Sequence, residues 1–179
     1  MTSVANVYAQ GLYTLAAEEH LEEQILQELA VLHQAFTREP AFVDLLASHN
    51  LPKQQRCCIL DDSFRNKIHP YVLNFLKLLT EKGYARQFCA CCNAYEALYD
   101  EAHNILPVQA VAAVALTDAQ KQRLQEKLEK LTGKTIRLSC QVDPACLGGM
   151  RLDYDGKRVD GTVANALRSI RDLLQNTVL

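Results

Sequence analysis

No lysine or arginine appears before Arg38, and no charge of either sign before Glu18. A secretory signal needs a basic start and an organelle transit peptide is rich in arginine, so neither is expected in the chain as given. No apolar run approaches the ~18 residues of a membrane span. Neither sign of charge is in surplus: 19 lysines and arginines face 21 acidic residues, a formal net charge of −2. That balance argues against a protein whose main work is gripping phosphates, so no nucleic-acid partner is expected. A nucleotide fingerprint, a catalytic carboxylate pair and a histidine cluster are all missing. Gly133-Lys134-Thr135 invites a phosphate-loop reading, but that motif needs a glycine where Leu128 stands. It also needs strand, loop and helix in that order, whereas this turn follows a helix and leads into a strand. Asp153-Tyr-Asp155-Gly156 lacks the rest of a calcium loop.

The seven cysteines are odd in number and come with no export signal, which suggests free thiols in a reducing compartment. Cys89, Cys91 and Cys92 share one helical stretch and Cys57-Cys58 another. Structural zinc sites use spaced Cys-x2-4-Cys knuckles with a second ligand pair, which this pattern does not supply. A catalytic cysteine needs a base and a depressed pKa. The cysteines therefore read as small buried hydrophobes, and no metal, cofactor or catalytic residue is expected.

What the chain does have is helical sequence with too much apolar surface in two places. Stretch 69–83, HPYVLNFLKLLTEKG, predicts a helix with Pro70 in its first turn, where the missing N–H costs nothing, and Gly83 just past its end. Tyr71, Val72, Leu73, Phe75, Leu76, Leu78 and Leu79 cover an arc of roughly 220°, about twice the stripe of a surface helix. Such a helix is either central in its domain or half of it faces a groove for a partner. Stretch 4–17 shows the same excess. Val4, Ala5, Val7, Tyr8, Ala9, Gly11, Leu12, Tyr13, Leu15 and Ala16 spread over roughly 240°. One flank is rich in small residues (Ala5, Ala9, Gly11, Ala16), which lets another backbone come close. Two readings stay open: a buried first helix, or a groove walled by stretches 4–17 and 71–82.

The other helices are ordinary. Leu21, Ile25, Leu29, Leu32 and Phe36 form one face over 21–36. Pro40 and Pro52 punctuate short helices at 41–47 and 53–64, with a turn at Asn50-Leu-Pro. Over 84–104, Phe88, Cys91, Cys92, Tyr95, Leu98, Tyr99 and Ala102 occupy roughly 120° of one long helix. Ile105-Leu-Pro107 then breaks the helical pattern, which places a domain boundary near 104–107. Residues 108–116, VQAVAAVAL, read as a strand. Thr117 with Gln120 gives a capping box, Leu124, Leu128 and Leu131 an apolar helix face, and Gly133 a stop. Stretch 135–142 alternates as a half-buried strand, as does Met150, Leu152 and Tyr154. Asp155-Gly156 turns the chain into a short strand at 157–159, and a last helix is expected over 162–177. The predicted fold is α+β in two domains. A six-helix bundle over 1–105 is followed by a small α/β domain with a short mixed sheet over 106–179.

Val142-Asp143-Pro144-Ala-Cys-Leu147-Gly148-Gly149-Met150-Arg-Leu152, followed by Asp160-Gly161-Thr162-Val163, resembles the signature of the delta subunit of F-type ATP synthases. The mitochondrial counterpart is the oligomycin-sensitivity conferring protein. Val7-Tyr8-Ala9, Asn74 to Leu79 and Phe88 to Leu98 resemble that family's N-terminal helices, so the likeness spans essentially the whole chain. One departure is Tyr84, where the family suggests arginine; Arg86 follows two residues later. The resemblance implies a non-catalytic stator part. Its bundle would hold the N-terminal helix of an alpha subunit, and its C-terminal domain the far end of the peripheral-stalk b subunits. Ala5, Tyr8, Ala9, Leu12, Phe75, Leu78 and Leu79 are the expected groove lining. Asp143, Gly148, Gly149, Asp160 and Gly161 are expected to shape the backbone around the last strands. The implied place is peripheral to a membrane through the complex, at the cytoplasmic face of a bacterial inner membrane or the stromal face of a thylakoid. Two rivals are an RNA-binding helical bundle of the antitermination type, which predicts a basic face, and an enzyme built on the cysteine-rich helix.

Overall fold

The computed structural model of the chain describes residues 4–48, 51–146, 149–154 and 156–161. Two compact units, Met1–Tyr99 and Asp100–Leu179, make up the chain.

The first unit is helical: α1 (Val4–Glu18), α2 (Glu22–Arg38), α3 (Pro40–Ala47), α4 (Lys53–Phe64), α5 (Pro70–Glu81) and α6, which begins at Phe88 and runs to Ala102. Its core forms around the predicted face of α2, where Ile25, Leu29, Leu32 and Phe36 are buried. Phe36 is an aromatic hub, its ring 4.8 Å from Phe88, 5.5 Å from Phe42 and 6.2 Å from Phe64. From α5, Val72, Phe75, Leu76 and Leu79 enter the same core. Arg56 of α4 is buried too. It donates to the Leu46 carbonyl at 2.7 Å, which places a cation at the C-terminal end of α3, where the helix dipole favours it.

Local chemistry sets the ends of α5. Pro70 opens it, the Nδ1 of His69 accepts from the Tyr71 N–H, and Glu28 of α2 accepts from the His69 N–H at 2.7 Å. At the other end Gly83 adopts φ +79°. The Tyr84 N–H donates to Leu79 and the Gly83 N–H to Thr80, a Schellman closure. This closure explains one difference from expectation. The helix predicted from residue 84 starts only at Phe88, because Tyr84 belongs to the end of α5 and a 3-10 turn, Ala85–Gln87, intervenes.

The second unit is built on β1 (Ile105–Ala112), α7 (Asp118–Thr132), β2 (Thr135–Val142), β3 (Met150–Tyr154) and β4 (Lys157–Asp160). The sheet order is β2-β1-β3-β4. β1 and β2 run parallel, joined through α7, and the β3–β4 hairpin pairs antiparallel on the other side of β1. Thr117 and Gln120 close the capping box of α7, and Gly133 ends it at φ +67°. Arg137 grips the buried Asp100 through both guanidinium nitrogens, at 2.6 and 3.0 Å. Two expectations need correction. The strand expected over 108–116 runs over Ile105–Ala112, so Ile105–Pro107, which follow the end of the helix as expected, already belong to it. Pro107 pairs with β2 only, since the β3 ladder begins at Val108, so its missing N–H leaves no gap. Leu131 is not on the covered face of α7: it is 83% exposed, while Leu124 and Leu128 are half-buried. The expected last helix, 162–177, lies outside the described residues, as do Leu147, Gly148 and Asp155.

Candidate functional site

The first helix carries two apolar stripes on different faces. Ala5, Ala9, Leu12 and Ala16 fall at i, i+4, i+7 and i+11 and are buried in the chain's own core. The inner stripe is made mostly of alanine, whose small side chain allows close helix contact. The larger side chains Val4, Val7 and Leu15 point outward, with Val7 57% exposed. Gly11 sits among them, and a Cβ added there would meet nothing within 4 Å. Between the stripes, Tyr8 is half-buried.

The predicted lining residues therefore divide. Ala5, Ala9, Leu12, Phe75 and Leu79 are core residues. Tyr8 and Leu78 keep surface, Leu78 at 40% exposure. On α5 the buried residues span one broad face, and Leu78 with the half-buried Tyr71 forms its flank. The Tyr8 ring packs on Tyr84, just after the C-terminal turn of α5. Arg86 is used elsewhere, in a surface pair with Asp44 at 2.9 Å. Sequence reasoning left Val4, Val7, Gly11 and Leu15 out of the lining. Their signal was the width of the apolar arc on α1, which periodicity alone could not divide into inside and outside.

The signature residues of the second unit hold backbone geometry. The Asp143 N–H donates to Ala112 at 2.9 Å, and its carbonyl accepts from Cys146 at 3.1 Å. Gly149 leads into β3 with φ +80°, a conformation that favours glycine. Asp160 is in register with Arg151, and the Gly161 N–H donates to the Met150 carbonyl at 3.0 Å. That approach is close: a Cβ on Gly161 would lie 3.3 Å from the Met150 oxygen.

The cysteines are free thiols, with Cys91, Cys92 and Cys146 buried. Burial pushes the Cys91 thiol up to about 11, and raises that of Cys92 further. Cys57 is raised by burial and by the neighbouring Glu81 carboxylate, 3.8 Å away. No group of three His, Cys, Asp or Glu side chains among the described residues is placed to hold a metal. No described helix is long and apolar enough to cross a membrane.

Residues 4–174 match the family model described as ATP synthase delta (OSCP) subunit. The chain is 32% identical to the ATP synthase subunit delta of Alkaliphilus oremlandii, over 98% of each sequence. It is 30% identical to that of Desulfitobacterium hafniense, over 97% of each. It is 29% identical to that of Synechococcus elongatus, over 95% of this chain and 97% of that relative. Its structure is similar to a chain of the Toxoplasma gondii mitochondrial ATP synthase hexamer, with a TM-score of 0.76 at 20% identity. That match covers 97% of this chain and 98% of the other, and at such identity it speaks for the fold alone. None of these relatives lends support to the RNA-binding reading. With a match over nearly its whole length and relatives aligned end to end, the chain belongs to the ATP synthase delta (OSCP) subunit family.

Proposed function

We propose that this chain, a non-catalytic stator subunit of an F-type ATP synthase, works as a two-ended joint. Its helical unit holds the N-terminal helix of an alpha subunit, and its α/β unit holds the far end of the peripheral-stalk b subunits. One observation carries the first half: α1 turns Val4, Val7 and Leu15 outward, while its inward stripe is three alanines and Leu12. A helix with an apolar face laid along Val4, Val7, Gly11 and Leu15, with Leu78 and Tyr8 at its border, would cover that surface. Burying each large side chain contributes about 1.5–3 kcal/mol before the cost of ordering the guest. Several are needed for a joint that resists rotor torque, and the two helices supply several.

The stalk reading rests on family membership. So does the proposed location, the cytoplasmic face of a bacterial inner membrane, held there through the complex. The test of the alpha-subunit end is a titration of the full chain with a synthetic peptide of the alpha-subunit N-terminal helix. Saturable binding that Val7→Asp abolishes supports the reading. A folded chain that shows no saturable binding removes it.

A further inference from the structure

β2 and β4 are the two edges of the sheet. β4 is a blunt edge, four residues long with Lys157 and Arg158 exposed on it. β2 is eight residues long and holds neither proline nor glycine. Its backbone phase fixes which groups face out. The Thr135 N–H donates to the Asn104 carbonyl and the Asp143 N–H to the Ala112 carbonyl. In a parallel ladder of unbroken register, a residue that donates to its neighbour also accepts from it. The odd residues of β2 therefore spend both groups on β1. Ile136, Leu138, Cys140 and Val142 turn theirs to the open side. The Glu129 carboxylate of α7 agrees with this phase, since it accepts from the Ile136 N–H at 3.4 Å. Glu129 thus occupies the first outward position of the edge. From Leu138 to Val142 no described group takes the outward backbone, and Ser139, Cys140, Gln141 and Val142 are exposed.

We propose that this edge pairs with the same edge of a second copy of the chain, antiparallel about a twofold axis at Cys140. In that register the strand is its own complement. Leu138 stands opposite the partner's Val142, so a side chain that is 50% exposed in the single chain gains an apolar neighbour. Ser139 stands opposite the partner's Gln141 on the other face. Arg137, which holds Asp100, comes level with the partner's Asp143, so no like charges meet along the edge. Leu138, Cys140 and Val142 are then the residues that exchange N–H···O bonds with the partner. A register centred on Ser139 would need the Ile136 N–H, which Glu129 holds, so the axis falls at Cys140. The dimer belongs to the free chain and does not depend on the stator reading.

Sedimentation of the full chain over a range of concentrations reads the association, in reducing buffer so that no disulfide contributes. A reversible dimer is expected. Cys140→Lys sets like charges at the axis and should weaken it roughly tenfold or more, while Cys140→Ser keeps the backbone pairing and should change it less than about threefold. Cys140→Pro removes an outward N–H without touching the β1 ladder and should weaken it too. Circular dichroism checks the fold of each variant, and Cys140→Lys decides if the proline form does not fold. In amide exchange, Leu138, Cys140 and Val142 should slow as concentration rises, while Ser139 and Gln141, already bonded to β1, should not. A chain that stays monomeric at its highest soluble concentration overturns the proposal. So does a dimer that the folded Cys140 variants leave intact, or one whose outward amides exchange at the same rate at every concentration.

Discussion

The phenol ring of Tyr8 lies 5.9 Å from that of Tyr84, centroid to centroid, and the two planes are tilted by 58°. Tyr8 is on α1, and Tyr84 accepts its place from the Schellman turn that ends α5 at Gly83. The pair therefore pins the first helix to the end of the fifth.

A double-mutant cycle on this pair measures the link. Tyr8→Ala and Tyr84→Ala should each destabilise the chain, with a coupling of about 0.5–1.5 kcal/mol between them. Tyr84→Phe keeps the ring and should lose little. Denaturant unfolding reads all four forms. Additive effects of the two alanine changes would show that the rings do not support each other.

Gly161 is fixed by proximity. Its N–H donates to the same Met150 oxygen that an added Cβ would crowd at 3.3 Å, so the neighbour cannot retreat without losing the bond. Gly161→Ala should lower stability by about 1 kcal/mol, within the range for overpacked sites. An unchanged unfolding midpoint would mean that the strand end shifts freely.

Thiol chemistry should follow burial. Cys58 and Cys140 are exposed and should alkylate at neutral pH in the native chain, whereas Cys91 and Cys92 should react only after unfolding. For Cys91 the folded value, about 11, lies above the ordinary 9.0. The folded state thus holds this proton more tightly, and the stability so gained is complete below pH 9.0 and is lost as pH rises towards about 11. A chain unfolded at pH 8 and pH 10.5 should be the less stable at the higher value. Fast native alkylation of Cys91 or Cys92 would instead revive an enzymatic reading of that helix.

Much of the fold could be read from residues whose local chemistry is decisive. Pro70 and Gly83 bound α5, and Thr117, Gln120 and Gly133 bound α7, because caps act through the backbone of their own turn. The failures came where distant partners decide. Pro107 is admitted to a strand because only one neighbour pairs with it there. The start of α6 is set by the closure of the preceding helix. The site was half legible for a related reason. One wide apolar arc on α1 is visible in its spacing, but hydrophobicity alone does not divide it into inside and outside. Packing does: Ala5, Ala9 and Ala16 go in with Leu12 because small side chains let the helices close, and Val4, Val7 and Leu15 are left out.

The sharpest test is at Gly11, the centre of the outward stripe. It lies inside a helix with nothing near its missing Cβ, so Gly11→Glu, a better helix former, should hold or raise stability by about 0.5–1 kcal/mol. The same change puts bulk and charge where the guest helix must come closest. Unfolding midpoint and alpha-peptide affinity should be measured on one preparation. An unaltered or higher midpoint with roughly tenfold or greater loss of affinity is the predicted result. Full affinity in the folded variant would contradict the proposal that α1 is the seat of the alpha-subunit helix.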